Sequence, residues 1–80
     1  MKKFDSVLII GMGLIGSSLS RALYKNQLAN CIYGLEINQN FINKCVELNL
    51  VVQVENDINK FRNQFDLIII CSPLSSYSNI

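Results

Sequence analysis

Eighty residues, half of them hydrophobic and 16 % charged at a net charge of +1, describe one small globular domain and exclude a disordered chain. No cationic cluster beyond Lys2-Lys3 is available to displace counterions from nucleic acid, and no histidine is present, which removes the commonest general base and metal ligand. Cys31, Cys45 and Cys71 form no C-x-x-C pair, so a zinc or redox motif is not supported and they read as reduced core thiols of a cytoplasmic protein.

Lys2-Lys3 followed by the apolar stretch from Val7 to Ile15 has the outline of a secretory leader, but Asp5 precedes it, glycines break it up and no A-x-A-like cleavage site follows. No run approaches the roughly 20 apolar residues of a transmembrane helix, so neither secretion nor membrane insertion is expected. Val7-Leu8-Ile9-Ile10 is an unbroken apolar run of the kind that forms a parallel strand buried on both faces. It stops at Gly11. From Leu14 to about Asn26 the spacing becomes helical, with Leu14, Ile15, Leu19, Ala22 and Leu23 on one face and Ser18, Arg21 and Lys25 opposite. A second strand is expected over Cys31 to Glu36. Asn38 suits an N-cap for a second helix whose buried stripe is Phe41, Ile42, Cys45 and Leu48. Val51 to Val54 reads as a short third strand, Asn56-Asp57 as a turn with Asp57 as a cap, and Ile58 to about Asn63 as one or two helical turns. Phe65 to Cys71, centred on Leu67-Ile68-Ile69-Ile70, reads as a fourth, fully buried strand, and Pro73 stops it because proline cannot donate to a ladder.

Strands alternating with helices in this way predict an α/β fold: a Rossmann-type parallel sheet, partial, in the order 3-2-1-4 with flanking helices. Residues 1–80 then make one dinucleotide-binding domain, expected to stop before its remaining strands and before any substrate or dimerisation domain.

Gly11-Met12-Gly13-Leu14-Ile15-Gly16 is a G-x-G-x-x-G run. The pattern alone is weak, but here it follows a strand, opens a helix, and has an acidic residue, Glu36, at the end of the next strand. Gly11 permits the tight turn, Gly13 lets backbone approach a pyrophosphate, and Gly16 lets helix and strand pack closely. The pyrophosphate would sit at the helix N-terminus, where free N–H groups and the macrodipole favour an anion. Glu36 can accept hydrogen bonds from both hydroxyls of the adenosine ribose and repels a 2′-phosphate. The residues after it, Ile37-Asn38-Gln39-Asn40, include no cation to neutralise that phosphate, so NAD is the expected cofactor rather than NADP.

Ser72 and Pro73, leaving the carboxyl end of the fourth strand, stand where backbone groups of such sheets touch a cofactor, although a plain proline turn accounts for them too. Ser17 and Ser18 either offer a hydroxyl to phosphate or simply suit a helix start. Gly34 inside a strand points to close packing. Asp57 and Asp66 have no spacing that suggests acid–base work. The sequence therefore offers cofactor-binding candidates and no catalytic or metal-binding ones.

The stretch from Val7 through Gly11-Met12-Gly13-Leu14-Ile15-Gly16-Ser17-Ser18 to Leu23 closely resembles the opening of the prephenate and arogenate dehydrogenases of tyrosine biosynthesis. Tyr33-Gly34-Leu35-Glu36-Ile37-Asn38 is similar to that family's second strand, and Phe65-Asp66-Leu67-Ile68-Ile69-Ile70-Cys71-Ser72-Pro73-Leu74-Ser75 to its fourth. Leu14-Ile15-Gly16-Ser17 is the discriminating piece, because hydroxyisobutyrate-type dehydrogenases usually carry methionine before the third glycine. Glu36 stands where the family commonly has aspartate, which lengthens the reach to the ribose by one methylene. The resemblance implies an NAD-dependent oxidoreductase that oxidatively decarboxylates prephenate to 4-hydroxyphenylpyruvate. The family's catalytic histidine, substrate-binding arginines and helical dimerisation domain have no counterparts here. The chain is accordingly expected to be inactive alone, to meet prephenate or arogenate only together with those missing parts, and to self-associate or pair with a complementing chain. Two alternatives stay open: a non-catalytic nucleotide-binding module, and the amino-terminal portion of another NAD-dependent dehydrogenase.

Overall fold

Four successive apolar side chains can all be buried only where a strand is covered on both faces, and Val7, Leu8, Ile9 and Ile10 are. In the computed structural model, which describes residues 3–62 and 64–71, they end β1 (Phe4–Ile10). β2 (Ala29–Leu35) pairs with one side of β1 and β4 (Leu67–Ile70) with the other, while β3 (Gln53–Glu55) pairs with β2. All three pairings are parallel and the order is β3-β2-β1-β4, as the sequence predicts. Helix α1 (Leu14–Lys25) connects β1 to β2, and α2 (Gln39–Glu47) connects β2 to β3.

The register sorts the side chains onto two faces. Val7 stands beside Ile32 and Leu67, and Ile9 beside Gly34 and Ile69; these face the helices, and Leu23 of α1 and Cys45 of α2 join their cluster. Leu8 stands beside Tyr33 and Ile68, and Ile10 beside Leu35 and Ile70. That second face is covered by a single 3-10 turn, Ile58–Lys60, and by an edge-to-face trio of Tyr33, Phe61 and Phe65 with ring centroids 5.4–6.1 Å apart, a spacing that favours aromatic contact.

Caps fall where the sequence puts them. The Asn38 side chain accepts from the amides of Asn40 and Phe41, and Asp57 accepts from the amide of Asn59. At the amino ends of the strands Asp66 accepts from the Asp5 amide at 2.7 Å, a structural use with no sequence signal.

Several expectations need correction. The buried stripe of α1 is Gly16, Ser20 and Leu23; Leu14 and Ile15 are 87 % and 71 % exposed and Ala22 is exposed, because the helix is turned to bring Gly16, not Leu14 or Ile15, against β1. In α2 only Cys45 is buried, and Phe41 and Leu48 are exposed, the helix touching the sheet through one narrow line. The fourth strand is not fully buried: Ile68 and Ile70 are each 52 % exposed, since the covering over Leu8 and Ile10 does not extend across β4 among the described residues. The third strand begins two residues late, at Gln53 rather than Val51, where Val52 N–H donates to the Ile32 carbonyl before the ladder proper. Of the three thiols, all free, only Cys45 lies in the core, while Cys31 and Cys71 are half-buried. Among the described residues no helix is long and apolar enough to cross a membrane, and no cluster of three His, Cys, Asp or Glu side chains could hold a metal ion.

The α1 stripe includes a fully buried serine whose hydroxyl donates to the Leu50 carbonyl, tying the helix to the approach to β3. Leaving a buried carbonyl unpaired costs about 1–3 kcal/mol. Ser20→Ala should therefore lower the unfolding free energy by about that amount in urea titration at unchanged slope; an unchanged midpoint would assign the contact no energetic role.

Candidate functional site

Gly11 ends β1 with φ 92, a backbone region L side chains rarely enter, and this reverses the chain so that α1 starts directly over the strand end. The first helical hydrogen bond runs from Ser17 N–H to the Gly13 carbonyl at 2.9 Å. A Cβ built at Gly16 would overlap the Gly11 carbonyl oxygen, so helix and turn approach more closely than any side chain allows. Gly13, by contrast, has an ordinary φ of −64, and a Cβ there would meet only the Phe41 ring, at 3.4 Å. Neither backbone conformation nor crowding by the protein's own backbone demands a glycine at that position. No side chain caps α1, so the amides of its first turn are among those a helix leaves without intrahelical partners.

Glu36 follows β2, is 5 % exposed, and has both carboxylate oxygens engaged. Oε1 accepts from Met12 N–H at 2.6 Å and Oε2 from Asn38 N–H at 2.9 Å. A buried carboxylate needs such partners, and the result is a bridge holding the glycine turn to the start of α2. A carboxylate can accept about four hydrogen bonds, so two acceptor positions remain for a ligand. Met12 points its side chain inward, 1 % exposed, over Gly34, where a Cβ would come 2.9 Å from its Cγ. Gly34 is thus a packing glycine, as its position in a strand suggests.

Gly11, Gly13, Leu14, Ile15, Gly16 and Glu36 all line one hollow of about 430 Å³ at the carboxyl ends of β1 and β4, together with Phe41 and Cys71. Met12 does not line it; its amide donates to Glu36, and the residue lines the neighbouring hollow between α1 and α2 instead. Ser72 and Pro73 lie outside the described residues. Ser17 spends its hydroxyl hydrogen on the Met12 carbonyl at 2.8 Å, and Ser18 is exposed. Burial pushes the Cys71 thiol up, as burial and then the Glu36 charge do for Cys45; a neutral thiol is a poor nucleophile, which argues against covalent chemistry at Cys71.

A second hollow of about 320 Å³ runs between α1 and α2 and shares Gly13, Leu14 and Phe41 with the first. Arg21 and Lys44 line it. Phe41, read from the sequence as core, therefore stands between two cavities; its place in the first turn of α2, directly after the Asn38 cap, is the signal that could have separated it from the buried stripe.

No protein-family model matches the chain, and no curated protein matches it. Among solved structures, prephenate dehydrogenase from A. aeolicus, crystallised in complex with hydroxyphenyl propionate and NAD+, is similar with a TM-score of 0.81 and 30 % sequence identity. The similarity covers 91 % of this chain and 26 % of that one, so the chain spans about a quarter of the enzyme's length. The four-stranded parallel sheet with its two helices is a Rossmann-type fold, shared with part of an oxidoreductase.

Proposed function

We propose that this chain is the NAD-binding portion of a prephenate dehydrogenase-like oxidoreductase, of the kind that oxidatively decarboxylates prephenate or arogenate. The observation that carries the reading is the meeting, in one hollow, of an uncapped helix start, a glycine that the fold itself does not require, and a buried carboxylate with acceptor positions to spare. The residues fit a dinucleotide. The α1 amides and the positive end of the helix suit a pyrophosphate, and Gly13 leaves room for it to reach the backbone. Glu36 suits the ribose hydroxyls. The similar oxidoreductase, crystallised with NAD+, supports the same reading.

NAD, when bound, supplies the two-electron oxidant. The chain's own part is binding and orientation: amides hold the phosphate charge, Glu36 fixes the ribose, and the exposed apolar side chains of Leu14 and Ile15 become the rim against which a ligand excludes water. With no histidine in the chain, the acid–base and substrate-holding groups belong, in this reading, to the three quarters of such an enzyme that these residues do not span.

Two outcomes follow. Calorimetric titration should show tighter binding of NAD than of NADP, and Glu36→Ala should narrow the gap, because ribose contact and phosphate repulsion vanish together. A hydrogen bond to a charged group contributes about 1.5–3 kcal/mol, so roughly tenfold or more in NAD affinity is at stake. The ratio of the two affinities is the readout, since loss of the Met12 and Asn38 contacts will also lower stability; an equal or reversed preference in the unaltered chain sinks the assignment. Separately, Gly13→Val should abolish NAD binding while leaving the helical circular dichroism largely intact, because the φ of −64 tolerates a side chain. Survival of binding would mean that phosphate does not lie on this turn.

A further inference from the structure

The Glu36 hollow and the α1/α2 hollow are neighbours, separated where Phe41 lies on Gly13, its Cε2 3.4 Å from where a Cβ there would be. On the far side stand Arg21 and Lys44, both exposed, and among the described residues neither has an ion-pair partner. Helical side chains lean toward the N-terminus of their helix. Arg21 therefore leans back along α1 and Lys44 back along α2, both toward the glycine turn and the ring of Phe41. Two unpaired cations converging on a hollow with Ser18 at its wall make a seat for a phosphate dianion. Yet a phosphate on the ribose held by Glu36 would be on the wrong side of an aromatic ring.

We propose that Phe41 sets cofactor choice together with Glu36, as a partition that keeps a 2′-phosphate on the ribose away from Arg21 and Lys44. The proposal rests on the reading of the Glu36 hollow as a dinucleotide site. It makes the preference for NAD the product of two walls, the negative charge of Glu36 and the ring of Phe41, rather than of a chain without suitable cations. Removing the ring joins the hollows and lets both cations reach the phosphate. The gain from one charge-assisted hydrogen bond is worth about tenfold in affinity.

The test is calorimetric titration of the full chain with NAD and with NADP. Phe41→Ala should raise the affinity for NADP relative to NAD roughly tenfold, and Phe41→Leu, which keeps an apolar contact on Gly13, should move it the same way by less. Adding Lys44→Gln and Arg21→Gln together to Phe41→Ala should return the ratio to that of the unaltered chain, and either alone should lower it part of the way, whereas adding Lys25→Gln, which removes a charge from the far end of α1, should not. In the unaltered chain Lys44→Gln and Arg21→Gln should leave the ratio where it was, since the partition already isolates them. The proposal is overturned by a ratio that stays put in both Phe41 variants while NAD still binds, by a rise indifferent to Lys44 and Arg21, or by a ratio that either cation sets with Phe41 intact. If the unaltered chain binds neither dinucleotide, the reading of the hollow fails and the partition falls with it.

Discussion

The approach of Gly16 to the Gly11 carbonyl decides how the rest of the chain is arranged. β1 is buried on both faces, so whatever follows it must turn back at once, and the positive φ of Gly11 makes that turn. The turn leaves the Gly11 carbonyl oxygen pointing into the first turn of α1, where only a residue without a Cβ can sit. Gly16 therefore fixes the rotation of the helix about its axis. Ser20 and Leu23, one and two turns further on, are carried inward, and Leu14 and Ile15 are carried out. An apolar stripe alone would have turned α1 the other way and buried the helix start. The close contact exposes it instead, over the carboxyl end of the sheet, where its free amides can meet a ligand.

Glu36 holds the second element of the site to the first. Burying a carboxylate is costly unless hydrogen bonds replace its water, and both of its oxygens have amide partners, one from the glycine turn and one at the start of α2. The same carboxylate thus serves the fold before it serves any ligand. Its position is set from both sides, so a ribose meeting it would find acceptors already in place, with little ordering left to do. That pre-organisation favours affinity, and it also means that substitution of Glu36 acts on stability and on binding together.

The fold was legible because its signals are local. The run Val7 to Ile10 needs two covered faces, Asn38 and Asp57 carry their own caps, and the alternation of strand and helix dictates a parallel sheet in the order found. The glycine fingerprint was legible for the same reason, its three glycines and the acid at the next strand end being fixed by spacing. What escaped depends on which neighbour covers which face. Leu14 and Ile15 look like core residues until Gly16 imposes the rotation. Ile68 and Ile70 look buried because they match Leu8 and Ile10 in character, but the aromatic trio covers one strand pair and not the next. Arg21 and Lys44 are far apart in sequence and carry no motif. Only the packing of α1 beside α2 brings them to one hollow, and the four residues directly after Glu36 carry no cation that would point to it.

The position of the hollow follows from how the chain crosses the sheet. From β1 the chain leaves by α1 on one face to reach β2, and from β2 it leaves by α2 on that same face to reach β3, with Leu23 and Cys45 packed on a common cluster. The return from β3 to β4 passes over the opposite face, where Ile58, Phe61 and Phe65 cover Leu8, Ile10 and Leu35. β1 and β4 are neighbours in the sheet, yet the connection that leaves β1 and the one that reaches β4 run over opposite faces. Among the described residues no segment crosses between their carboxyl ends, and a crevice stands there, as it does wherever the order of a parallel sheet reverses. The glycine turn borders this crevice on one side and Cys71 on the other. Strand order thus places an opening at the edge where a free helix start and a buried carboxylate already stand.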